Sequence, residues 1–388
     1  MKVMMVAGEA SGDVYGAHLA AKLRAICPDV DLFGLGGELM QAAGVRLLFN
    51  PTGLSAVGLG EALRSASALR GVLAEAVRVL GRERPSCVVL IDFPEFNTRL
   101  ADAAARRGVK SVYLFAPTAW AWRRGRARRI ARTVTKVASV FPLEAQVYRE
   151  AGASVEFVGH PLLDLVKPAA AADRLAARAE LGRGPGFGSG PEPDPEAVVV
   201  GLLPGSRAQE IRLLLPPMLD AAARIAEARP GAGFVLPLAD TVSEDDVSRA
   251  VGASGVAVKL VRGQAYRCMA AADALVVASG TATLEAAIVG TPMVVVYRVS
   301  RSTWMLGRLL VKIPFISWPN ILARRRIVPE LLQDEARGEV IAREIMRLLD
   351  DPACAARMTA DLAEARGALG DPGALERTAR LVVEVAGS

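Results

Sequence analysis

The chain has 388 residues, of which 52% are hydrophobic, and carries a net charge of +6. This length suffices for two domains with large cores, and the positive charge indicates an anionic partner such as nucleic acid, anionic lipid or a nucleotide. Two histidines and four widely spaced cysteines argue against a histidine-based metal cluster and a disulfide framework.

The N-terminal segment is predicted to be a first strand rather than a signal peptide, because a very short apolar run turns polar at Glu9. Nowhere is there a run of about 18 uncharged apolar residues, so we expect no membrane-spanning helix. The cytoplasm is the expected location.

Short apolar runs alternate with Ala/Leu/Arg-rich helical patterns such as Tyr15–Ile26 and Ala66–Leu80, which predicts βαβ units. The predicted strands of the first half are Val3–Ala7, Val88–Ile91, Val112–Phe115, Val137–Val140 and Val155–Val158. Those of the second half are Val198–Leu203, Phe234–Pro237, Val256–Leu260, Leu275–Val277 and Val294–Val296. Three helical patterns follow, at Val340–Leu349, Ala355–Leu369 and Leu375–Val385.

These patterns predict an α/β protein of two doubly wound, Rossmann-like domains facing across a cleft, with a helical C-terminal segment. The first domain spans residues 1–165, completed by helices of about 350–388, and the second spans 196–349. Residues 182–195, rich in Gly and Pro, are predicted to be a flexible loop. Ligands of such sheets bind at the carboxyl ends of the strands, so the loops that follow the strands are the candidate sites.

The first candidate is Ala278 to Glu285, which reads Ala-Ser-Gly-Thr-Ala-Thr-Leu-Glu. A strand that turns into a helix at Ser279, Gly280 and Thr281 presents free N–H groups at the positive end of the helix dipole, which favours phosphate. Glu285, about one turn into the helix, could accept hydrogen bonds from ribose hydroxyls. Alternatively, Ser and Thr are ordinary helix caps.

A second strand in the same half ends in Pro204-Gly205-Ser206-Arg207. The planar guanidinium of Arg207 matches a diphosphate. Neither this turn nor Ala278–Glu285 is a P-loop or a Gly-x-Gly-x-x-Gly fingerprint.

In the first half, Gly8 to Asp13 places Glu9, Ser11 and Asp13 in one turn. Two carboxylates argue against an anion there and suit the hydroxyls of a sugar, although Ser11 or Asp13 could simply be an N-cap.

Asp92 follows an apolar strand in the run Ile91 to Asn97. A carboxylate near apolar walls can have a raised pKa and act as a general base. The alternative is a structural aspartate that caps the next segment.

Trp120 to Arg132 combines aromatic residues with arginines, which fits nucleic acid, a phosphorylated lipid headgroup or a membrane surface. A solvated basic helix face is the alternative.

Leu54–Leu80 is predicted to be a core helix, with an acyl-chain or membrane contact as the alternative. Asp29-Val30-Asp31 has no partner carboxylates, so no metal site is predicted.

Together and in this order, these motifs resemble the lipid-A-disaccharide synthases of Gram-negative bacteria. The matching segments are Gly8–Asp13, Ile91–Asn97, Trp120–Arg123, Phe157–His160, Leu202–Arg207, Ala278–Glu285 and Pro319–Asn320. The resemblance implies a GT-B fold and an inverting glycosyltransferase that needs neither metal nor cofactor. The implied reaction joins UDP-2,3-diacylglucosamine to 2,3-diacylglucosamine 1-phosphate (lipid X), which makes a β-1,6-linked disaccharide and releases UDP.

The resemblance also implies roles for residues. Asp92 becomes the candidate base on the 6-hydroxyl of the acceptor, with Glu9 as the second candidate. The implied donor residues in the second domain are Gly205, Ser206, Arg207, Ser279, Gly280, Thr281, Glu285 and Asn320. The first domain would then hold the acceptor, and we infer that Ser11, Asp13, Asn97, Trp122 and Arg123 contact it.

As partners we expect the two lipid substrates and the anionic inner-membrane surface, with peripheral association and no nucleic acid; a homodimer is compatible with the sequence. The chain departs from the family pattern at Glu95, where an aspartate is usual, and in the longer loop 182–195. The alternatives are a UDP-N-acetylglucosamine 2-epimerase-like enzyme of the same architecture and a basic RNA-binding protein that uses the Trp120–Arg132 cluster.

Overall fold

The computed structural model describes residues 1–51, 59–117, 124–181, 197–300, 304–305 and 314–388, with side chains described from residue 68 in the second range and from residue 125 in the third. The chain forms two compact units. Met1–Leu165 and Leu369–Ser388 make the first unit, and Val166–Ala368 makes the second. Among the described residues, no helix combines the length and the apolar character needed to cross a bilayer.

The first unit is built around a parallel seven-stranded sheet in the order β3-β2-β1-β4-β5-β6-β7. Its strands are β1 (Lys2–Ala7), β2 (Asp31–Leu35), β3 (Arg46–Phe49), β4 (Cys87–Ile91), β5 (Lys110–Leu114), β6 (Lys136–Ser139) and β7 (Val155–Phe157). Before the chain enters the second unit, the first unit contains the helices α1 (Ala10–Ile26), α2 (Glu38–Ala42), α3 (Leu59–Glu83), α4 (Pro94–Ala105), α5 (Arg124–Thr133), α6 (Pro142–Glu150) and α7 (Leu162–Leu165).

The second unit contains a parallel six-stranded sheet in the order β10-β9-β8-β11-β12-β13. Its strands are β8 (Val199–Leu203), β9 (Gly233–Leu238), β10 (Lys259–Arg262), β11 (Ala274–Ala278), β12 (Met293–Tyr297) and β13 (Glu330–Leu332). Its helices are α8 (Ala171–Leu181), α9 (Ala208–Ala228), α10 (Glu244–Ser254), α11 (Ala265–Ala271), α12 (Thr281–Val289), α13 (Trp318–Ala323), α14 (Gly338–Asp350) and α15 (Pro352–Gly367), with a short 3₁₀ helix at Gln333–Glu335.

The last helix, α16 (Ala374–Gly387), returns to the first unit and packs on α1 and β5. Helix α15 instead packs on α12, α13 and α14, so residues 352–367 belong to the second unit. Asp164 ties the returning chain to α7, because its carboxylate accepts a hydrogen bond from Leu375 N at 3.0 Å and another from Gly373 N.

The central strands β1, β4, β8 and β11 are almost entirely apolar and buried, as expected for parallel strands covered by helices on both faces. The sequence patterns located these strands but missed the edge strands β3 and β13, which are only four and three residues long. The predicted strand Val256–Leu260 begins only at Lys259, because β10 is also an edge strand and pairs along one side.

The strand order reverses between β1 and β4 in the first sheet and between β8 and β11 in the second. Each reversal separates the loops of two adjacent strands toward opposite faces of the sheet, and the crevice left at their carboxyl ends is the usual ligand position in such folds. The loops that begin at Gly8, Asp92, Pro204 and Ser279 all follow these four strands. Chain topology therefore gathers the motifs into one candidate site per unit.

Candidate functional site

In the second unit, the turns Pro204–Arg207 and Ser279–Thr281 lie at the ends of neighbouring strands. Strands β8 and β11 pair in parallel with Leu203 opposite Val277, so both turns leave the same edge of the sheet side by side. The sequence predicted each turn separately, and the pairing of the strands brings them together.

The turn before α12 is open to an anion. Gly280 and Thr281 are exposed, and the backbone N–H groups of Thr281 and Ala282 form no hydrogen bond within the described part of the chain. Ser279 supports the turn instead, since its N–H donates to Val296 O and its hydroxyl donates to Ile316 O at 3.0 Å. The N-terminus of α12 therefore offers free donors and the positive end of a helix dipole.

Glu285 lies one turn further along α12, where it is partly buried. Burial raises the pKa of its carboxyl group, while a hydrogen bond from the Tyr266 hydroxyl, with an O···O distance of 3.2 Å, opposes that rise. No motif in the sequence pointed to Tyr266, because the contact joins two helices, α11 and α12.

The turn before α9 is organised by Glu210, which the sequence analysis did not assign to the site. Its Oε2 accepts the N–H groups of Ser206 at 3.0 Å and Arg207 at 3.2 Å, and its Oε1 pairs with Arg207 Nη1 at 3.1 Å. This is the glutamate half of a capping box, in which a glutamate three residues into the helix accepts the N–H of the cap residue. That three-residue spacing was the available sequence signal.

Glu210 occupies the N–H groups of Ser206 and Arg207, and the Arg207 side chain, which is 76% exposed, leaves its guanidinium accessible to an anion. Gly205 has a φ of +109°, and a Cβ there would lie 2.3 Å from Glu210 Oε2. Only glycine fits this position without displacing the cap.

Asn320 is fully buried, and its amide is saturated by the protein. Its Nδ2 donates to Val328 O at 3.0 Å and to Glu330 Oε1 at 2.8 Å, and its Oδ1 accepts from Ile327 N and Val328 N at 2.7 and 2.9 Å. An amide has two donor hydrogens and two lone pairs, so none is left for a ligand. Asn320 here supports the loop rather than offering a contact.

Glu330, in the short strand β13, also supports the loop that contains Asn320. No motif in the sequence pointed to this residue. It accepts hydrogen bonds from Ile316 N, from the backbone and hydroxyl of Ser317, and from Asn320. Since Ile316 O receives the Ser279 hydroxyl, this buried network ends at the open turn of α12.

In the first unit, Glu9 and Asp92 follow the neighbouring strands β1 and β4, which pair with Ala7 opposite Ile91. Burial and, to a smaller extent, the negative charge of Glu9 raise the pKa of Asp92 to about 6, against a lowering hydrogen bond from the Phe93 backbone. A carboxyl group with this pKa is suited to accept a proton near neutral pH.

Asp92 stands in a strained turn that buried side chains hold. Asp92 and Phe93 have left-handed φ values of 48° and 51°. The Asp92 carbonyl accepts hydrogen bonds from Tyr113 Oη at 2.9 Å and from Asn97 Nδ2 at 2.7 Å. Such strain persists only where the surroundings impose it, and it concentrates at functional sites. Asn97 is fully buried beneath the turn, so its amide positions Asp92.

The remaining predicted acceptor residues are spread over different environments. Ser11 is exposed, whereas Asp13 is 5% exposed and its carboxylate accepts the N–H groups of Gly37, Leu39 and Met40 at the start of α2. Asp13 therefore joins α1 to the start of α2 and has a structural role. Trp122 and Arg123 lie outside the described residues.

Beyond these positions, α5 presents arginines on an exposed face. Arg126 pairs with Glu95, the residue that departs from the family pattern, and Arg129 pairs with Asp102. Arg128 and Arg132 are exposed and form no ion pair within the described part of the chain. In that same part, no cluster of three or more His, Cys, Asp or Glu side chains is arranged to hold a metal ion.

Solved structures share this architecture. UDP-GlcNAc 2-epimerase from Neisseria meningitidis, bound to UDP-GlcNAc, aligns with a TM-score of 0.63 at 12% identity and covers 99% of this chain and 100% of that chain. MurG from Acinetobacter baumannii aligns with a TM-score of 0.58 at 14% identity, with 99% of both chains covered. Identities this low show the fold alone, and they confirm the predicted α/β fold of the GT-B type.

Sequence relatives are more specific. Lipid-A-disaccharide synthase of Geobacter metallireducens is 42% identical over 387 residues, covering 100% of this chain and 97% of that protein. Its namesake in Myxococcus xanthus is 42% identical over 384 residues, covering 99% and 97%. The protein-family model described as lipid-A-disaccharide synthetase matches residues 3–384 of this chain. This match includes both pairs of turns at the strand-order reversals, and it confirms the resemblance drawn from the motifs: the chain belongs to the lipid-A-disaccharide synthetase family.

Proposed function

We propose that this protein transfers the sugar of UDP-2,3-diacylglucosamine to the 6-hydroxyl of 2,3-diacylglucosamine 1-phosphate, giving a β-1,6-linked disaccharide 1-phosphate and UDP. Family membership over nearly the whole chain supports a UDP-sugar glycosyltransferase. The observation that carries the proposed mechanism is Asp92, a carboxyl group of raised pKa in a strained turn at the strand-order reversal of its sheet.

Asp92 is proposed as the general base. The 6-hydroxyl oxygen of the acceptor forms a bond to the anomeric carbon of the donor, and its proton passes to the Asp92 carboxylate. The bond between the anomeric carbon and the UDP oxygen breaks, and its electron pair leaves with UDP. Because the acceptor oxygen attacks from the side opposite to UDP, the configuration at the anomeric carbon is inverted. With a pKa of about 6, Asp92 is mostly ionised at pH 7 and binds a proton more readily than an ordinary aspartate.

The second unit is proposed to bind the donor. The open N–H groups of Thr281 and Ala282 and the guanidinium of Arg207 would stabilise the negative charge that develops on the leaving diphosphate. Glu285 would accept the ribose hydroxyls. These fixed positive groups supply what a divalent cation supplies in other transferases, so we expect neither a metal nor a cofactor to be required.

The exposed arginines Arg128 and Arg132 on α5 support a contact with anionic phosphate, either the 1-phosphate of the acceptor or lipid headgroups. Both substrates carry acyl chains, so we propose a cytoplasmic protein that associates peripherally with the inner membrane. Nucleic acid is not a proposed partner.

The test is a paired measurement on wild type and Asp92→Asn: UDP release with both lipid precursors, and UDP affinity by titration. The variant keeps the size of the side chain and removes the base, so we expect a rate loss of about a hundredfold to ten-thousandfold with unchanged UDP affinity. Wild-type turnover should persist in EDTA. Turnover of the variant within a fewfold of wild type would transfer the role of base to Glu9.

Two controls separate the alternatives. Without the acceptor lipid, a transferase releases little UDP, whereas a 2-epimerase converts its UDP-sugar with no acceptor present. An RNA-binding protein would instead show RNA affinity that falls steeply with salt, and no UDP binding.

A further inference from the structure

Tyr266 is a surface aromatic residue beside the open turn of α12. It occupies the second position of α11, the helix that follows β10, and its side chain remains 39% exposed. The large tyrosines of the first unit, Tyr113 and Tyr148, are fully buried. An exposed tyrosine whose hydroxyl reaches a neighbouring helix is therefore a distinct feature of this edge of the second sheet.

The hydroxyl of Tyr266 donates to Glu285 Oε1 at 3.2 Å, and Glu285 forms no other hydrogen bond among the described residues. The side chain of Glu285 is partly buried, and no other polar group among the described residues restrains its carboxylate. The contact therefore holds Oε1, and Oε2 remains an acceptor without a partner in the part of the chain that the structure describes.

The protonation state of Glu285 depends on the same contact. Burial raises the pKa of Glu285, which favours a neutral carboxylic acid, and the hydrogen bond from Tyr266 lowers it. An ionised carboxylate only accepts hydrogen bonds, and the 2′- and 3′-hydroxyls of ribose are donors. Tyr266 thus favours the form of Glu285 that can receive a ribose.

We propose that Tyr266 is a positioning residue that holds the Glu285 carboxylate for the ribose hydroxyls of the donor nucleotide, and that it thereby sets the preference for a ribonucleotide over a 2′-deoxyribonucleotide. The inference rests on the proposed function, because it takes a nucleoside diphosphate as the ligand of this edge. It goes further by assigning the sugar specificity of that site to a contact between two helices.

The test compares UDP with 2′-deoxy-UDP by calorimetric titration of the full-length protein. Four proteins are measured: wild type, Tyr266→Phe, Glu285→Gln and Arg267→Gln. Tyr266→Phe removes only the hydroxyl and keeps the ring. Arg267→Gln is the matched control, since Arg267 is the next residue on α11, is exposed and pairs with Glu180 rather than Glu285. Thermal unfolding of each variant confirms that the fold is retained.

We expect wild type to bind UDP about tenfold more tightly than 2′-deoxy-UDP, the effect of one hydrogen bond to a charged group. In Tyr266→Phe this preference should fall to about threefold or less, through weaker UDP binding, while 2′-deoxy-UDP affinity changes by less than about twofold. Arg267→Gln is expected to shift both affinities by the same factor, because it removes one positive charge, and therefore to retain their ratio.

The outcomes separate this inference from the proposed function. If Glu285→Gln loses the preference and Tyr266→Phe keeps it, Glu285 contacts ribose without help from Tyr266, and only this inference fails. If Glu285→Gln also keeps the preference, the ribose role of Glu285 fails and the inference with it. Absence of UDP binding to wild type would overturn the proposed donor site itself.

Discussion

Asp92 and Glu9 show how two acidic residues at one sheet edge can take different roles. The pKa of Asp92, about 6, exceeds the usual value because of burial and then the charge of Glu9. Neighbouring carboxylates separate acid–base roles in this way, because the charge on one makes the other hold its proton more tightly.

The pH dependence of turnover should report this coupling. A base must be ionised to act, so kcat/KM is expected to fall about tenfold per pH unit below a pKa of about 6 and to level off above it. Glu9→Gln removes the charge that raises the Asp92 pKa, so the acidic limb should move to lower pH while turnover at pH 8 persists. Loss of turnover at every pH would identify Glu9 as the base.

Arg207 is exposed, so its contribution to ligand binding can be separated from its contribution to stability. Its pair with Glu210 is exposed in the free protein and contributes little stability. Arg207→Ala is expected to leave the unfolding temperature nearly unchanged and to weaken UDP binding by about tenfold to a hundredfold, the loss of a charge-assisted contact. Arg224→Ala is the matched control, because Arg224 forms an exposed pair with Asp220 on the same helix. Equal UDP affinity in both variants would refute the assignment of Arg207.

At the scale of elements, the site depends on how helices begin. In the described part of the chain, the turn before α12 has no side-chain cap, whereas in the turn before α9 Glu210 binds the N–H groups of Ser206 and Arg207 and pairs with the Arg207 guanidinium. The turn before α9 is therefore a platform that holds an exposed arginine, and the turn before α12 offers only backbone donors.

Gly205→Ala tests this platform. The added Cβ would lie 2.3 Å from Glu210 Oε2 at a φ of +109°, so the cap must be displaced. We expect a loss of about 1–3 kcal/mol in unfolding free energy, measured by urea titration, together with weaker UDP binding. Gly252→Ala is the control, since Gly252 lies within α10 with open space around a Cβ and should be neutral or slightly stabilising. Similar destabilisation by both substitutions would argue against a special role for the turn.

At the scale of the whole molecule, each of the two sheets has a reversal of strand order, and each reversal carries a different set of candidate site residues. The first unit holds the candidate base and the exposed arginines of α5, and the second holds the candidate donor site. The positive charge of the chain, +6 overall, fits lipid substrates that carry phosphate.

Membrane association is the prediction that belongs to this scale. The protein should co-sediment with vesicles that contain anionic lipid, and high salt should release part of it, because salt screens exposed charges. Arg128→Gln combined with Arg132→Gln should weaken this binding, whereas vesicles of neutral lipid should show little difference between variant and wild type. Complete solubility at low salt, without binding to anionic vesicles, would contradict the proposal.

Local sequence was sufficient for much of the fold. Buried parallel strands are nearly continuous apolar runs, so β1, β4, β8 and β11 could be located, and Asp92, Arg207 and Ser279 stood out because they follow those runs. The edge strands β3 and β13 gave no such signal: β13 is three residues long and contains the buried Glu330.

What only the tertiary structure decided was the use of each polar side chain. Asn97 and Asn320 resemble ligand contacts in sequence, yet both amides are buried and bonded to backbone atoms brought near them by packing. Tyr266 meets Glu285 only because α11 and α12 lie side by side, and Glu9 comes near Asp92 only because β1 pairs with β4. Apolar periodicity is a local property of the chain, whereas hydrogen-bond partners and pKa shifts depend on distances between segments that are far apart in sequence.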